Sequence, residues 1–176
     1  FFAAGSVGGL AAAERGECDL AGVHLLDPGS GVYNRPFLPR GVRLVGGYRR
    51  SQGVVYRAGD PRFSGRTAAE MVAAALADPS CLMVNRNQGS GTRLLIDQLL
   101  ADARPAGYTL QPRSHTAVAA AVAQGRADWG VTLEGVARAA GLDFAPLARE
   151  CFDFMVPESR WDRPAVDAFR ELLASP

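Results

Sequence analysis

Cysteine, histidine and unbalanced charge are all scarce in this chain. Only Cys18, Cys81 and Cys151 occur, odd in number and far apart. That excludes a small disulfide framework and a Cys-x-x-Cys zinc site. The two histidines, His24 and His115, lack His-x-x-x-His spacing, and no Gly-x-Ser-x-Gly elbow stands beside a His and an Asp. No metal site, hydrolytic triad or paired carboxylates can be assembled from what remains. A net charge of +1 gives no global attraction to nucleic acid or to an anionic membrane, although local anion binding stays open. No apolar run is long enough to span a bilayer, no signal peptide opens the chain, and reduced thiols favour the cytoplasm.

What is present suits an ordinary globular protein. With 48% hydrophobic and 21% charged residues in 176, the chain can bury a real core as one domain or two small lobes. Phe1–Ala3 reads as the tail of a strand, Gly5–Gly9 as a turn, and Leu10–Arg15 as an Ala-rich helix. Strands are expected over 19–26, 42–45 and 53–56, the last two flanking a basic turn at Tyr48-Arg49-Arg50. Asp27-Pro28-Gly29 is a turn. Helices follow over 67–77, 92–103, 115–124, 134–140 and 165–174, with strands over 81–84, 129–133, 144–147 and 152–156. Cys81 reads as a small core residue. Alternating strands and helices mean an α/β fold with a parallel or mixed sheet. The stretch from Ser6 to Leu25 is echoed from Ser114 to Leu133: polar turn, Ala-rich helix, Gly, Asp, short strand. Similar halves of a two-lobed protein would produce that echo.

The run Asn85-Arg86-Asn87-Gln88-Gly89-Ser90-Gly91-Thr92-Arg93 joins a strand to a helix. Its glycines allow positive φ, and Ser90 or Thr92 can cap the helix. The first helical amides lack internal partners and the dipole favours negative charge, so an anion can rest there with Arg86 and Arg93 adding charge-assisted bonds. The competing reading is a plain capped helix with both arginines in water. The spacing is neither a P-loop nor a dinucleotide fingerprint. Gly5-Ser6-Val7-Gly8-Gly9 repeats the arrangement. Polar groups at strand ends complete the candidates: His24, Thr132 and Glu134, with His115 as a cap or a ligand contact. Glu134 also suits the first turn of its own helix.

Taken together, Gly5-Ser6, Gly9-Leu10, Arg15-Gly16-Glu17, Asp19–Asp27, Asn85-Arg86, Gly89–Arg93, Asp97, Ala119–Ala123, Gly125–Asp128, Gly130 and Gly141–Phe144 resemble one family. It is the periplasmic-binding-protein-like domain attached to some molybdopterin biosynthesis proteins and helix-turn-helix regulators. The resemblance covers nearly the whole chain. It implies a type II periplasmic-binding-protein-like fold, with lobe 1 formed by residues 1–50 plus 148–176 and lobe 2 by 51–147. Crossings are expected near Gly47–Gly53 and Leu147–Cys151, and an N-terminal strand and helix are expected before Phe1.

The family's relation to molybdate- and tungstate-binding proteins implies a small anionic ligand between the lobes and no cofactor. A carboxylate-bearing metabolite or a pterin phosphate remain alternatives. Ser6, Val7, His24, Arg86, Ser90, Gly91, Thr92, Arg93, Thr132 and Glu134 are the expected contacts. A fused or associated DNA-binding or molybdopterin-related domain is the expected partner. Two rival readings stand beside this non-enzymatic sensor: an enzyme acting on a phosphorylated or carboxylated metabolite through His24, His115 or Glu134, and an interaction module with a vestigial cleft.

Overall fold

The computed structural model describes residues 4–175, so the strand expected at Phe1–Ala3 lies outside the described residues. The chain divides into two compact units, Phe1–Arg49 with Glu150–Pro176, and Arg50–Arg149. It passes between them twice, within β2 (Val42–Tyr56) and within β5 (Asp143–Pro157). Each of these 15-residue strands corrects an expectation of two short strands with a break. Two glycines of β2 are there for close approach. A Cβ on Gly47 would lie 2.1 Å from the Phe152 carbonyl oxygen, and one on Gly53 would lie 2.2 Å from that of Ala145. Only glycine lets those backbones meet.

In the first unit, α1 (Gly5–Glu14) packs on β1 (Ala21–Val23), which runs antiparallel to β5 with Ala21 opposite Met155 and Val23 opposite Asp153. The expected Gly5–Gly9 turn is the start of α1 instead. Glycine suits this helix because it lies close to its neighbour: a Cβ on Gly9 would sit 3.2 Å from the Ala21 Cβ. Ala13, Ala21, Val23, Val42 and Met155 form the core. A 3₁₀ turn, Arg35–Phe37, follows the loop after β1, and α6 (Pro164–Ala174) ends the unit.

The second unit holds α2 (Ala68–Ala77), β3 (Met83–Val84), α3 (Gly91–Leu100), α4 (His115–Ala123), β4 (Trp129–Leu133) and α5 (Glu134–Ala139). β4 pairs antiparallel with β2 and parallel with β3, a mixed sheet. Strand alternation divides its core. Val54, Tyr56, Met83, Trp129 and Val131 pack with Met71, Val72 and Ile96 of α2 and α3. Val55 and Val84 pack with Val118 and Val122 of α4. Each fully buried aliphatic side chain contributes about 1.5–3 kcal/mol.

The helices start where their caps allow. Thr67 and Glu70 form a reciprocal capping box on α2, and Ser114 Oγ accepts the Ala117 amide at 3.1 Å on α4. Cys81 is buried in the core, and desolvation pushes its thiol up to about 11. No described helix is long and apolar enough to cross a membrane.

Candidate ligand site

The second unit holds the strongest candidate, at the start of α3. Buried Asn85 fixes the end of β3: its amide nitrogen donates to the Tyr108 carbonyl at 3.1 Å, and its side-chain oxygen accepts the Arg86 N–H at 2.8 Å. The chain then turns through Gly89, at φ +79°, to Ser90. Ser90 is the cap. Its hydroxyl accepts the Arg93 N–H at 3.2 Å and donates to the Asn87 carbonyl at 3.1 Å. The one proton that hydroxyl can donate is therefore spent.

Thr92 differs. It is completely buried, and its hydroxyl has no hydrogen-bond partner among the described residues. The Gly91 and Thr92 N–H groups likewise meet no acceptor among the described residues, as expected for the first positions of a helix. These three donors belong to the first two residues of the helix, where the dipole favours negative charge. A buried hydroxyl left unsatisfied costs about 1–3 kcal/mol.

Arg93 does not project freely from this opening. Its Nε donates to both Asp97 oxygens at 2.8 and 2.9 Å, Nη1 to the Arg86 carbonyl at 3.2 Å, and Nη2 to the Tyr108 hydroxyl at 2.5 Å. Tyr108 donates in turn to Asp97 at 2.8 Å. Burial opposes the Arg93 charge, but its bonds to Asp97 and Tyr108 outweigh that, so the guanidinium is held more firmly protonated than usual. It braces the turn from beneath.

Arg86, His115 and Thr132 come together as a chain. Arg86 Nη1 lies 3.1 Å from His115 Nε2, and His115 Nδ1 lies 3.3 Å from Thr132 Oγ1, which donates to the His115 carbonyl at 3.2 Å. A guanidinium can only donate, so Nε2 must accept and Nδ1 must carry the proton. The chain holds Arg86 in the turn leading into α3. Glu134 opens α5 and pairs with Arg138 on its own helix, more than a third exposed.

Ser6 and His24 meet in the first unit. The buried Ser6 hydroxyl accepts the His24 N–H at 3.1 Å, tying α1 to the end of β1 instead of capping the helix. His24 Nδ1 sits 3.0 Å from Oε2 of the buried Glu150, within ion-pair distance but off the line of a hydrogen bond. Val7 is half exposed on the first turn of α1. Sequence reasoning missed Glu150, Tyr108 and the bracing role of Asp97.

The family model describing a PBP superfamily domain matches residues 1–174. The chain belongs to that family. A Bacillus subtilis relative, the uncharacterised protein YvgK, is 30% identical over 182 residues, which is 97% of this chain and 56% of that protein. The chain therefore spans little more than half the length of this curated relative.

Solved structures share the fold. A putative phosphate transporter substrate-binding protein from Clostridium perfringens, with bound phosphate, superposes with a TM-score of 0.71 at 13% identity, over 97% of this chain and 79% of that one. A probable transcriptional regulator from Pseudomonas aeruginosa gives 0.65 at 21% identity, over 93% of this PBP domain and 51% of the regulator. The α/β periplasmic-binding-protein-like class expected from the residues is the observed one.

Proposed function

We propose that this PBP domain is a non-enzymatic binding domain that takes a small oxyanion at the opening of α3. The supporting observation is the trio of unspent donors: the Gly91 and Thr92 amides and the buried Thr92 hydroxyl. Arg86 supplies positive charge in the same turn. A tetrahedral oxyanion accepts several hydrogen bonds at once and needs no deprotonated partner, which matches this donor set. The Clostridium perfringens protein holds phosphate on the same fold, and the sequence resemblance adds molybdate and tungstate to the candidates.

Binding that favours one conformation would shift its population, and a fused or associated domain would read the shift. The likeness to a regulator that is twice as long as the matched region supports such an attachment, with cytoplasmic action. Titration calorimetry of the chain with phosphate, sulfate, molybdate and tungstate tests the reading. Heat and a rise in melting temperature from at least one oxyanion are expected. Absence of both with all four would overturn it.

A further inference from the structure

β3 is the edge of its sheet, next to β4. On its open side the N–H groups of alternate residues need acceptors from elsewhere. A segment between α3 and α4, residues 106–112, supplies them. The Met83, Asn85 and Asn87 N–H groups donate to the carbonyls of Ala106, Leu110 and Pro112 at 2.8, 2.8 and 3.3 Å. β3 ends at Val84, so this ladder continues past the strand and into the turn that opens α3. Gly107, at φ +83°, lets the two backbones lie that close.

One side chain of the segment reaches the helix itself. The Tyr108 hydroxyl accepts from Arg93 and donates to Asp97, both on α3, while the Tyr108 carbonyl takes the Asn85 side chain at 3.1 Å. The guanidinium carbons of Arg93 and Arg104 lie 4.7 and 4.6 Å from the centre of its ring, which steadies the ring's orientation. Arg93 carries the constraint onward: its Nη1 holds the Arg86 carbonyl at 3.2 Å, and its own amide is the one that Ser90 caps. Beyond the segment, the Arg86 guanidinium meets His115 at 3.1 Å and ties the turn to the start of α4.

We infer that residues 106–112 are a strap that sets the geometry of the α3 opening, with Tyr108 as its positioning residue for oxyanion binding. The effect on affinity rests on the oxyanion reading above; the ordering of the turn rests on these contacts alone. Tyr108 acts through Arg93 and touches no ligand. A turn already held in shape has less freedom to lose when an anion binds, and binding is tighter for it.

Tyr108→Phe removes one oxygen and keeps the ring. Hydrogen exchange followed by NMR, without added oxyanion, is the first readout. Exchange at the Asn85 and Asn87 amides and at Arg93 Nε should rise about tenfold, while the amides of the β2–β4 ladder keep their rates. A tyrosine that served only global stability would raise both sets together.

Calorimetry with inorganic phosphate and with molybdate is the second readout. Affinity should fall about three- to tenfold in Tyr108→Phe. Arg93→Lys should lose as much, and the double variant no more than either alone, because one chain of contacts carries both. Val122→Ala is the control: it opens a cavity at the far end of α4 and lowers the melting temperature, yet affinity should stay the same.

Exchange that is unchanged in Tyr108→Phe, or raised equally everywhere, would overturn the strap. Tyr108→Phe binding either anion as tightly as the unsubstituted protein would remove the positioning role. If neither anion binds the unsubstituted protein, the oxyanion reading falls and the positioning role with it, whatever the exchange rates show.

Discussion

Replacing Thr92 with Val separates the two consequences of an unsatisfied buried hydroxyl. The side chains are nearly equal in volume and helix propensity, so the change removes one polar atom and little else. The Thr92 hydroxyl is buried without a partner among the described residues, at a cost of about 1–3 kcal/mol. Thr92→Val should therefore stabilise the free chain by about 1 kcal/mol, raising its melting temperature by roughly 2–4 °C for a protein of this size. The same change should weaken oxyanion binding, because a hydrogen bond to a charged acceptor contributes about 1.5–3 kcal/mol, or roughly 10- to 100-fold in affinity. Thermal unfolding and calorimetry on the same two proteins give both signs. A destabilised variant would mean that the hydroxyl has a partner after all. A more stable variant with unaltered affinity would remove Thr92 from the ligand.

Three further outcomes are expected. Arg62 hydrogen bonding holds the Asp60 carboxyl below its usual range. At Asp128, burial pushes upward, but bonds from Arg62, the Leu82 amide and Arg57 outweigh it. Groups lowered on folding stabilise above their ordinary pKa and lose that contribution as pH falls through the folded value. Melting temperature should thus drop as pH falls below about 4, and Asp128→Asn should flatten that drop. Gly107→Ala should cost roughly 2–4 kcal/mol in urea unfolding, since Gly107 has φ +83° and its Cβ would sit 2.0 Å from the Met83 carbonyl oxygen; a neutral result would refute that crowding. In a thiol-reagent titration at pH 8, Cys18 and Cys151 should react ahead of Cys81, whose thiol is buried and pushed up to about 11; three equal rates would contradict this.

Local signals were readable where one residue decided the outcome. Leu133 ends β4 and His115 begins α4 where the pattern placed them, because Ser114 caps one and a polar strand end closes the other. Long strands were not readable. Tyr48-Arg49-Arg50 reads locally as a basic turn, while the reason for Gly47 and Gly53 on either side, a carbonyl on a strand about a hundred residues away, has no local trace.

At the site, the helix opening and its capping serine were legible from the run Gly89–Arg93. The direction of the Arg93 side chain was not, since it depends on Tyr108, a residue outside the motif. Neither was the isolation of the Thr92 hydroxyl, which is a property of everything that does not reach it. The echo of Ser6–Leu25 in Ser114–Leu133 holds in structure as helix, positive-φ glycine and strand, but its serines differ: one hydroxyl binds a strand amide and the other caps a helix.

The two long strands have a consequence for the order of events during synthesis. Residues 50–149 are contiguous, so the second unit has all its parts once Arg149 leaves the ribosome. β1 must wait longer, because its sheet neighbours, Asp153 to Met155, are still to be translated. Val23 and Ala21 are thus made early and covered late, and during that interval nascent α1 and β1 are where a chaperone would find exposed apolar surface.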